Sequence, residues 1–210
     1  TMPAMSAGPA SSAPEFDTGR LDAFLRAALP GRAQGAMTLE RISGGQSNPT
    51  FFLSYAAAGT RLVLRKKPPG PLLPSAHAVD REYRVLKALA NSSVPVPPVV
   101  LFHGDDDVVG TPFYVMERLD GRVFHDTALP GLATEARRAM YFAMAETLAA
   151  LHGFDWQTAG LADFGKPGNY FARQIARWGR QWSETKTHEI AAVDRAFAWL
   201  TEHLDDSVET

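Results

Sequence analysis

The 210-residue chain contains no cysteine. That absence alone excludes disulfides, thiolate nucleophiles, zinc–thiolate sites and iron–sulfur clusters, and it fits a reducing cytoplasm. Charge of one sign is not in excess either: 21 Lys and Arg stand against 23 Asp and Glu, a net charge of −2. No global basic field argues for nucleic acid or an anionic membrane as partner. Long apolar runs are missing. The longest, 94–102, carries Pro95, Pro97 and Pro98 and falls far short of the ~20 residues a spanning helix needs. The first residues, rich in Ala, Ser, Pro and Gly, lack the basic start and leucine-rich centre of a secretory signal; residues 1–15 read as a disordered tail. What is present is an ordinary globular balance, 45% hydrophobic and 21% charged, sufficient for one domain or two small ones.

Periodicity supplies the elements. Residues 21–29 predict a short amphipathic helix with Leu21, Phe24, Leu25 and Ala28 on one face, ended by Pro30 and Gly31. Two β-runs, 37–42 and 50–55, flank the turn-rich stretch 43–49, and Ala58-Gly59-Thr60 leads into a third strand at 61–65. A helix is expected over 76–90 with Ser75 as its N-cap, then strands over 98–103 and 111–119. From Thr134 onward the pattern is helical. Met140, Met144, Leu148 and Leu151 recur at helical spacing before Gly153. A second long helix is expected over 170–185, striped by Phe171, Ile175, Trp178 and Trp182, and a third over 190–203. Three strands, a helix, two strands and then helices define an α+β fold. A doubly wound sheet does not fit, because the first three strands leave no room for crossover helices. The division expected is an N-terminal lobe over 16–119, followed from Asp120-Gly121 by a helical part over 120–210.

Four segments could carry chemistry. Gly44, Gly45, Gln46, Ser47 and Asn48, between two strands, offer backbone N–H groups that can face an anion with no Cβ in the way; the same residues also make a plain hairpin loop. They are neither a Walker A loop nor a dinucleotide fingerprint, since no helix follows. In the strand 61–65, period two puts Val63 and Arg65 on one face and Leu62 and Leu64 on the other. Val63 could pack on a base while Arg65 reaches a phosphate; a solvated strand end is the other reading. Glu82 lies in line with Leu86 and Leu89 on its helix. It either takes Arg65 as partner, because a buried unpaired charge is costly, or sits at the stripe's edge in water. Finally, the strand Phe113-Tyr114-Val115-Met116-Glu117-Arg118-Leu119 turns at Asp120-Gly121, where its free backbone groups could pair with a planar base.

In chain order these are a glycine loop, a strand ending VLR, a helix with REYRVL, a strand FYVMERLDG and a helix ending LAALH. Together they resemble the aminoglycoside phosphotransferase and choline-kinase-like family, a branch of the protein-kinase-like superfamily. LVLRKKPPG (62–70) and DFGKPGNYFARQIARW (163–178) are most similar to the kinase-like domain of acyl-CoA dehydrogenase family 10 and 11 proteins. The resemblance covers roughly residues 36–205. It implies a protein-kinase-like fold: a five-stranded antiparallel N-lobe with its helix, plus the first helices of a helical C-lobe. It implies an ATP-dependent transfer of the γ-phosphate to a hydroxyl of an unknown small acceptor, with ATP and Mg²⁺. Gly44 to Asn48 would lie over the phosphates. Arg65 would stand where the family has its phosphate-binding lysine, with Glu82 as its helix partner. Val63 and Met116 would line the base pocket, and Glu117, Arg118 and Leu119 would form the hinge. Arginine at position 65 is a departure, since Arg grips phosphate as a planar fork and Lys as a point charge.

Two further matches are refused. His103-Gly104-Asp105 spells the family's catalytic triplet, but it falls between two N-lobe strands and position 110, where an Asn is required, is Gly. Asp163-Phe164-Gly165 spells a magnesium-binding triplet, but it falls between helices. No residue up to Thr210 has the catalytic spacing, so the base and the magnesium ligands are expected beyond residue 210, and this chain alone is expected to be inactive. The alternatives are a non-catalytic nucleotide-binding or pseudokinase-like interaction module, or an unrelated α+β binding domain with coincidental motifs. The family kinship favours a hydroxylated acyl acceptor over an antibiotic. No membrane or nucleic-acid partner is expected.

Overall fold

The computed structural model describes residues 14–42, 48–70, 77–165 and 168–204. Residues 1–13 of the tail, the loop residues Gly44, Gly45, Gln46 and Ser47, and Ser75 lie outside them. The chain divides into two compact units, Thr1–Leu161 and Ala162–Thr210. The first holds α1 (Thr18–Ala28), β1 (Met37–Arg41), β2 (Thr50–Tyr55), β3 (Thr60–Lys66), α2 (Val79–Leu89), β4 (Val99–His103), β5 (Phe113–Glu117), α3 (Thr134–His152) and a π-type turn over Gln157–Leu161. The second holds α4 (Tyr170–Thr185) and α5 (Ala191–Glu202). No helix among the described residues is long and apolar enough to cross a membrane.

The five strands form one antiparallel sheet in the order β1-β2-β3-β5-β4. β3 is therefore central, and its two faces have different fates. Register pairs Phe51 with Leu64 and Leu64 with Val115, while Leu53 meets Leu62. These side chains share the face covered by α1, whose Leu21 and Leu25 are fully buried. Leu62, Leu64, Phe113 and Val115 are likewise fully buried, each such side chain contributing about 1.5–3 kcal/mol of apolar burial. α1 begins where Asp17 accepts hydrogen bonds from the Gly19 and Arg20 N–H groups at 2.8 and 3.1 Å, satisfying two of the unpaired donors at the helix start. It ends before Pro30 because a residue preceding proline is driven out of helical geometry.

A polar clasp joins α1 to the sheet. The Tyr55 hydroxyl donates to Asp22 at 2.7 Å, and Arg26 pairs with the same carboxylate at 3.0 Å. Burial alone raises the Asp22 pKa, but the Tyr55 and Arg26 contacts outweigh it and hold the carboxyl below its ordinary value of 3.8. The folded carboxyl thus binds its proton more weakly than the unfolded one. Its stabilisation is present above about pH 4 and is lost as pH falls through the lower folded value. Tyr55→Phe is expected to destabilise by about 1 kcal/mol at pH 7. In urea titrations the gap to wild type should narrow below pH 4.

On the other face lie Thr50 and Phe52 from β2, Val63 and Arg65 from β3, and Tyr114 and Met116 from β5. α2 packs over the β4–β5 end of this face, with Tyr83 stacked on Phe102 at 5.3 Å. A register shift between Val99 and Leu101 inserts one extra residue into β4, as a β-bulge does. Phe102 therefore faces α2 while His103 faces α1.

Two expectations need correction. α2 starts at Val79, not at residue 76, and its N-cap is Ala78 with no side-chain cap. The reason is His77, whose φ of +58° cannot belong to a right-handed helix. In the second unit, only part of the apolar stripe of α4 faces α5: Ile175 does, and Trp182 Nε1 donates to Asp194 of α5 at 2.9 Å. Phe171 and Trp178 are exposed, whereas Ala172, Ile175, Ala176 and Gly179 line a cleft with Phe197 of α5. Phe197 comes within 3.5 Å of where a Cβ on Gly179 would stand, so the missing side chain admits the ring. Gly153 ends α3 as expected, as its C-cap with φ −83°.

Candidate functional site

The site is built where β3, α2 and the exit of the glycine loop converge. Arg65 and Glu82 face each other across the sheet–helix gap. Arg65 Nε donates to Glu82 Oε2 at 2.7 Å and Nη2 to Oε1 at 3.4 Å. Strand alternation aims Arg65 away from the Leu62–Leu64 face, and α2 presents Glu82 to it. Both side chains are about one-third exposed, so the pair lies in a cleft.

Besides Arg65, two neighbours fix the carboxylate. Asn48 Nδ2 donates to Glu82 Oε1 at 2.8 Å, and Tyr114 Oη donates to Oε2 at 3.1 Å. Burial, and then the charge of Glu82, push the Tyr114 phenol above its ordinary range, so it remains a donor at any physiological pH. Arg65 Nη1 donates to Thr50 Oγ1 at 3.1 Å, and that hydroxyl donates to the Asn48 carbonyl at 2.9 Å. A guanidinium has five N–H donors. Among the described residues Glu82 and Thr50 engage three of them. One hydrogen on Nη1 and one on Nη2 have no partner among the described residues, and such guanidinium N–H groups suit a phosphate.

Beside this cation lies an apolar shelf. Phe52, Val63 and Met116 are successive cross-strand neighbours on the same face. Arg118 reaches over to Phe52, its guanidinium carbon 3.8 Å from the ring centroid. The strand end expected to act as a hinge is divided. The Arg118 N–H bonds back to Arg61, so ladder alternation turns the Glu117 backbone to the β4 side, where its N–H donates to the Pro98 carbonyl at 2.8 Å. The Glu117 side chain goes to the opposite face and makes a double bond pair with Arg32 at 2.6 and 2.9 Å. Leu119 is exposed. Asp120 is held by Arg61 at 2.6 and 2.7 Å, which keeps its carboxyl below the usual range.

Of the residues expected from sequence, Asn48, Val63, Arg65, Glu82, Met116 and Arg118 thus share one face. Gly44, Gly45, Gln46 and Ser47 lie outside the described residues. Sequence reasoning missed Thr50, Tyr114 and His77. Thr50 and Tyr114 are the two cross-strand partners of Arg65, and only the strand order, with β5 beside β3, reveals them. The refused triplet at His103 is packed against Phe24, with ring centroids 4.7 Å apart, and paired with Asp107 at 2.5 Å. It stands on the α1 face, away from Arg65. Asp163, Phe164 and Gly165 fall in turn and bend structure before α4.

A five-stranded antiparallel sheet whose central strand sends a cation to a carboxylate on the one intervening helix defines a protein-kinase-like fold. Comparison with known proteins agrees. The crystal structure of a Ralstonia eutropha protein assigned as an aminoglycoside phosphotransferase superimposes with a TM-score of 0.75 at 42% identity, over 92% of this chain and 55% of that one. The sequence model of the phosphotransferase enzyme family APH matches residues 38–210, and the chain belongs to that family. Among curated proteins it is 45% identical over 184 residues to acyl-CoA dehydrogenase family member 10 of Mus musculus, covering 88% of this chain and 17% of the relative. It is 45% identical over 199 residues to family member 11 of Gallus gallus, covering 92% and 25%. The chain therefore spans a quarter or less of these relatives. Family membership removes the reading of the motifs as coincidence in an unrelated binding domain.

Proposed function

We propose that this chain carries the nucleotide-binding half of an ATP-dependent phosphotransferase that moves the γ-phosphate to a hydroxyl of a small acceptor. The observation that carries the reading is Arg65 held along its Nε edge by Glu82 and at Nη1 by Thr50, with two further N–H groups unengaged among the described residues. An arginine locked along its Nε edge is pre-oriented, so it grips a phosphate without first losing side-chain freedom. In this reading the Phe52–Val63–Met116 shelf takes the base, and the loop 44–48 lies over the phosphates. Among the described residues no three His, Asp or Glu side chains gather as metal ligands, so magnesium ligands are not assigned to them. The names of the relatives, acyl-CoA dehydrogenases, support a hydroxyacyl compound as acceptor. The cytoplasm is the compartment proposed.

Calorimetric titration tests the reading. Mg–ATP is expected to bind this chain, and Arg65→Ala to weaken binding about tenfold or more, the scale of one lost charge-assisted contact. Lys67→Ala, two residues on, is expected to change it less than about threefold. Equal effects from the two variants, or no binding by the wild type, would reject the assignment.

A further inference from the structure

Among described residues other than glycine, only His77, Leu129 and Asn169 have a left-handed backbone. For a residue with a Cβ that conformation costs on the order of 1 kcal/mol and persists where surrounding contacts impose it. At His77 the contact is visible. Its ring Nδ1 lies 3.0 Å from Asn48 Oδ1, and Asn48 is a buried polar side chain, 5% exposed. The direction of this bond follows from its neighbours. Glu82, paired with Arg65 as a carboxylate, only accepts, so the Asn48 nitrogen must face it and the Asn48 oxygen must face His77. His77 Nδ1 therefore donates. A chain of donors runs from His77 to Asn48 to Glu82, which in turn receives Arg65 Nε.

We infer that His77 is a positioning residue of the anion clamp: it fixes the Asn48 amide, which fixes the Glu82 carboxylate, which aims the Arg65 guanidinium. Without His77 the Asn48 amide can rotate, and one Glu82 oxygen loses its second support. Asn48 also leads out of the glycine loop, while His77 immediately precedes Ala78, the N-cap of α2. The bond therefore ties the end of the loop to the start of the helix that carries Glu82. The effect on nucleotide rests on the function proposed above; the hold on Asn48 does not.

Two substitutions separate positioning from folding. His77→Gly removes the donor but suits the left-handed backbone. His77→Asn also tolerates that backbone and places an N–H donor at the same δ position. His77→Gly is expected to keep or raise the melting temperature. The slowly exchanging Asn48 side-chain amide signal of the wild type should be lost in its ¹H–¹⁵N spectrum, and Mg–ATP affinity should fall about tenfold. Adenosine, which has no phosphate, should bind within about twofold of wild type. His77→Asn should restore both the amide signal and the Mg–ATP affinity. An unchanged Asn48 signal in His77→Gly, or equal weakening of adenosine and Mg–ATP, overturns the inference. If the wild type binds no Mg–ATP, the nucleotide reading falls, and the amide signal still accepts or rejects the hold on Asn48.

Discussion

Replacing Glu82 by alanine is expected to lower Mg–ATP affinity about tenfold, or about 1.4 kcal/mol, close to the effect of removing Arg65 itself, because Arg65 then loses the partner that orients it. The carboxylate is the common acceptor for Arg65, Asn48 and Tyr114. Its removal leaves a guanidinium without its counter-charge and two polar groups without their partner, so the guanidinium is no longer held in one orientation before a phosphate arrives. The expected loss of fold stability is modest, about 1–2 kcal/mol, because the pair is one-third exposed and water takes over part of the lost solvation. Glu82→Gln should fall between, since one oxygen survives but the charge does not. Calorimetric titration with Mg–ATP, beside urea denaturation of each variant, separates the two quantities. A correctly folded Glu82→Ala protein with wild-type Mg–ATP affinity would falsify the proposed clamp.

The second large effect belongs to stability. Leu64→Ala should cost about 3 kcal/mol, within the range for fully buried leucines whose cavity cannot collapse. That corresponds to a fall of about 10 °C in melting temperature for a chain of this size. Leu64 is fully buried at the centre of the sheet, between Phe51 and Val115. Val63, the next residue, points to the opposite face. Val63 is 7% exposed, so its replacement by alanine should cost about 2 kcal/mol, less than at Leu64 because fewer buried methylenes are lost, and it should weaken adenosine binding by removing part of the apolar shelf. Thermal denaturation followed by circular dichroism reads the first comparison. Equal losses at 63 and 64 would mean that the two faces do not differ as described.

Much of this contrast was legible in the sequence. Alternation along 61–65 separated Leu62 and Leu64 from Val63 and Arg65 because a strand repeats every two residues, a purely local property. The position of Glu82 on its helix stripe followed from the helical repeat in the same way. Two local readings failed, one of them in part, for local reasons. Ser75 looked like a cap, yet the backbone at His77 breaks helical geometry before α2 begins. The apolar stripe on α4 divides: Ile175 and Trp182 meet α5, while Phe171 and Trp178 are exposed and Gly179 accepts Phe197. Period measures which residues share a side and says nothing of which side finds a neighbour.

The sequence by itself determined the element types, the antiparallel opening of the sheet and the family, and it singled out Arg65 and Glu82 as candidate partners, because each depends on spacing within one segment or on motif order along the chain; that the two pair was decided by the fold. Only the tertiary structure decided that β5 lies beside β3, so that Tyr114 and Thr50 flank Arg65 from both sides. It alone brought His77 to Asn48, 29 positions apart in the chain. Strand order and the approach of distant loops are set by the packing of whole elements against one another, and no periodicity along the chain encodes them.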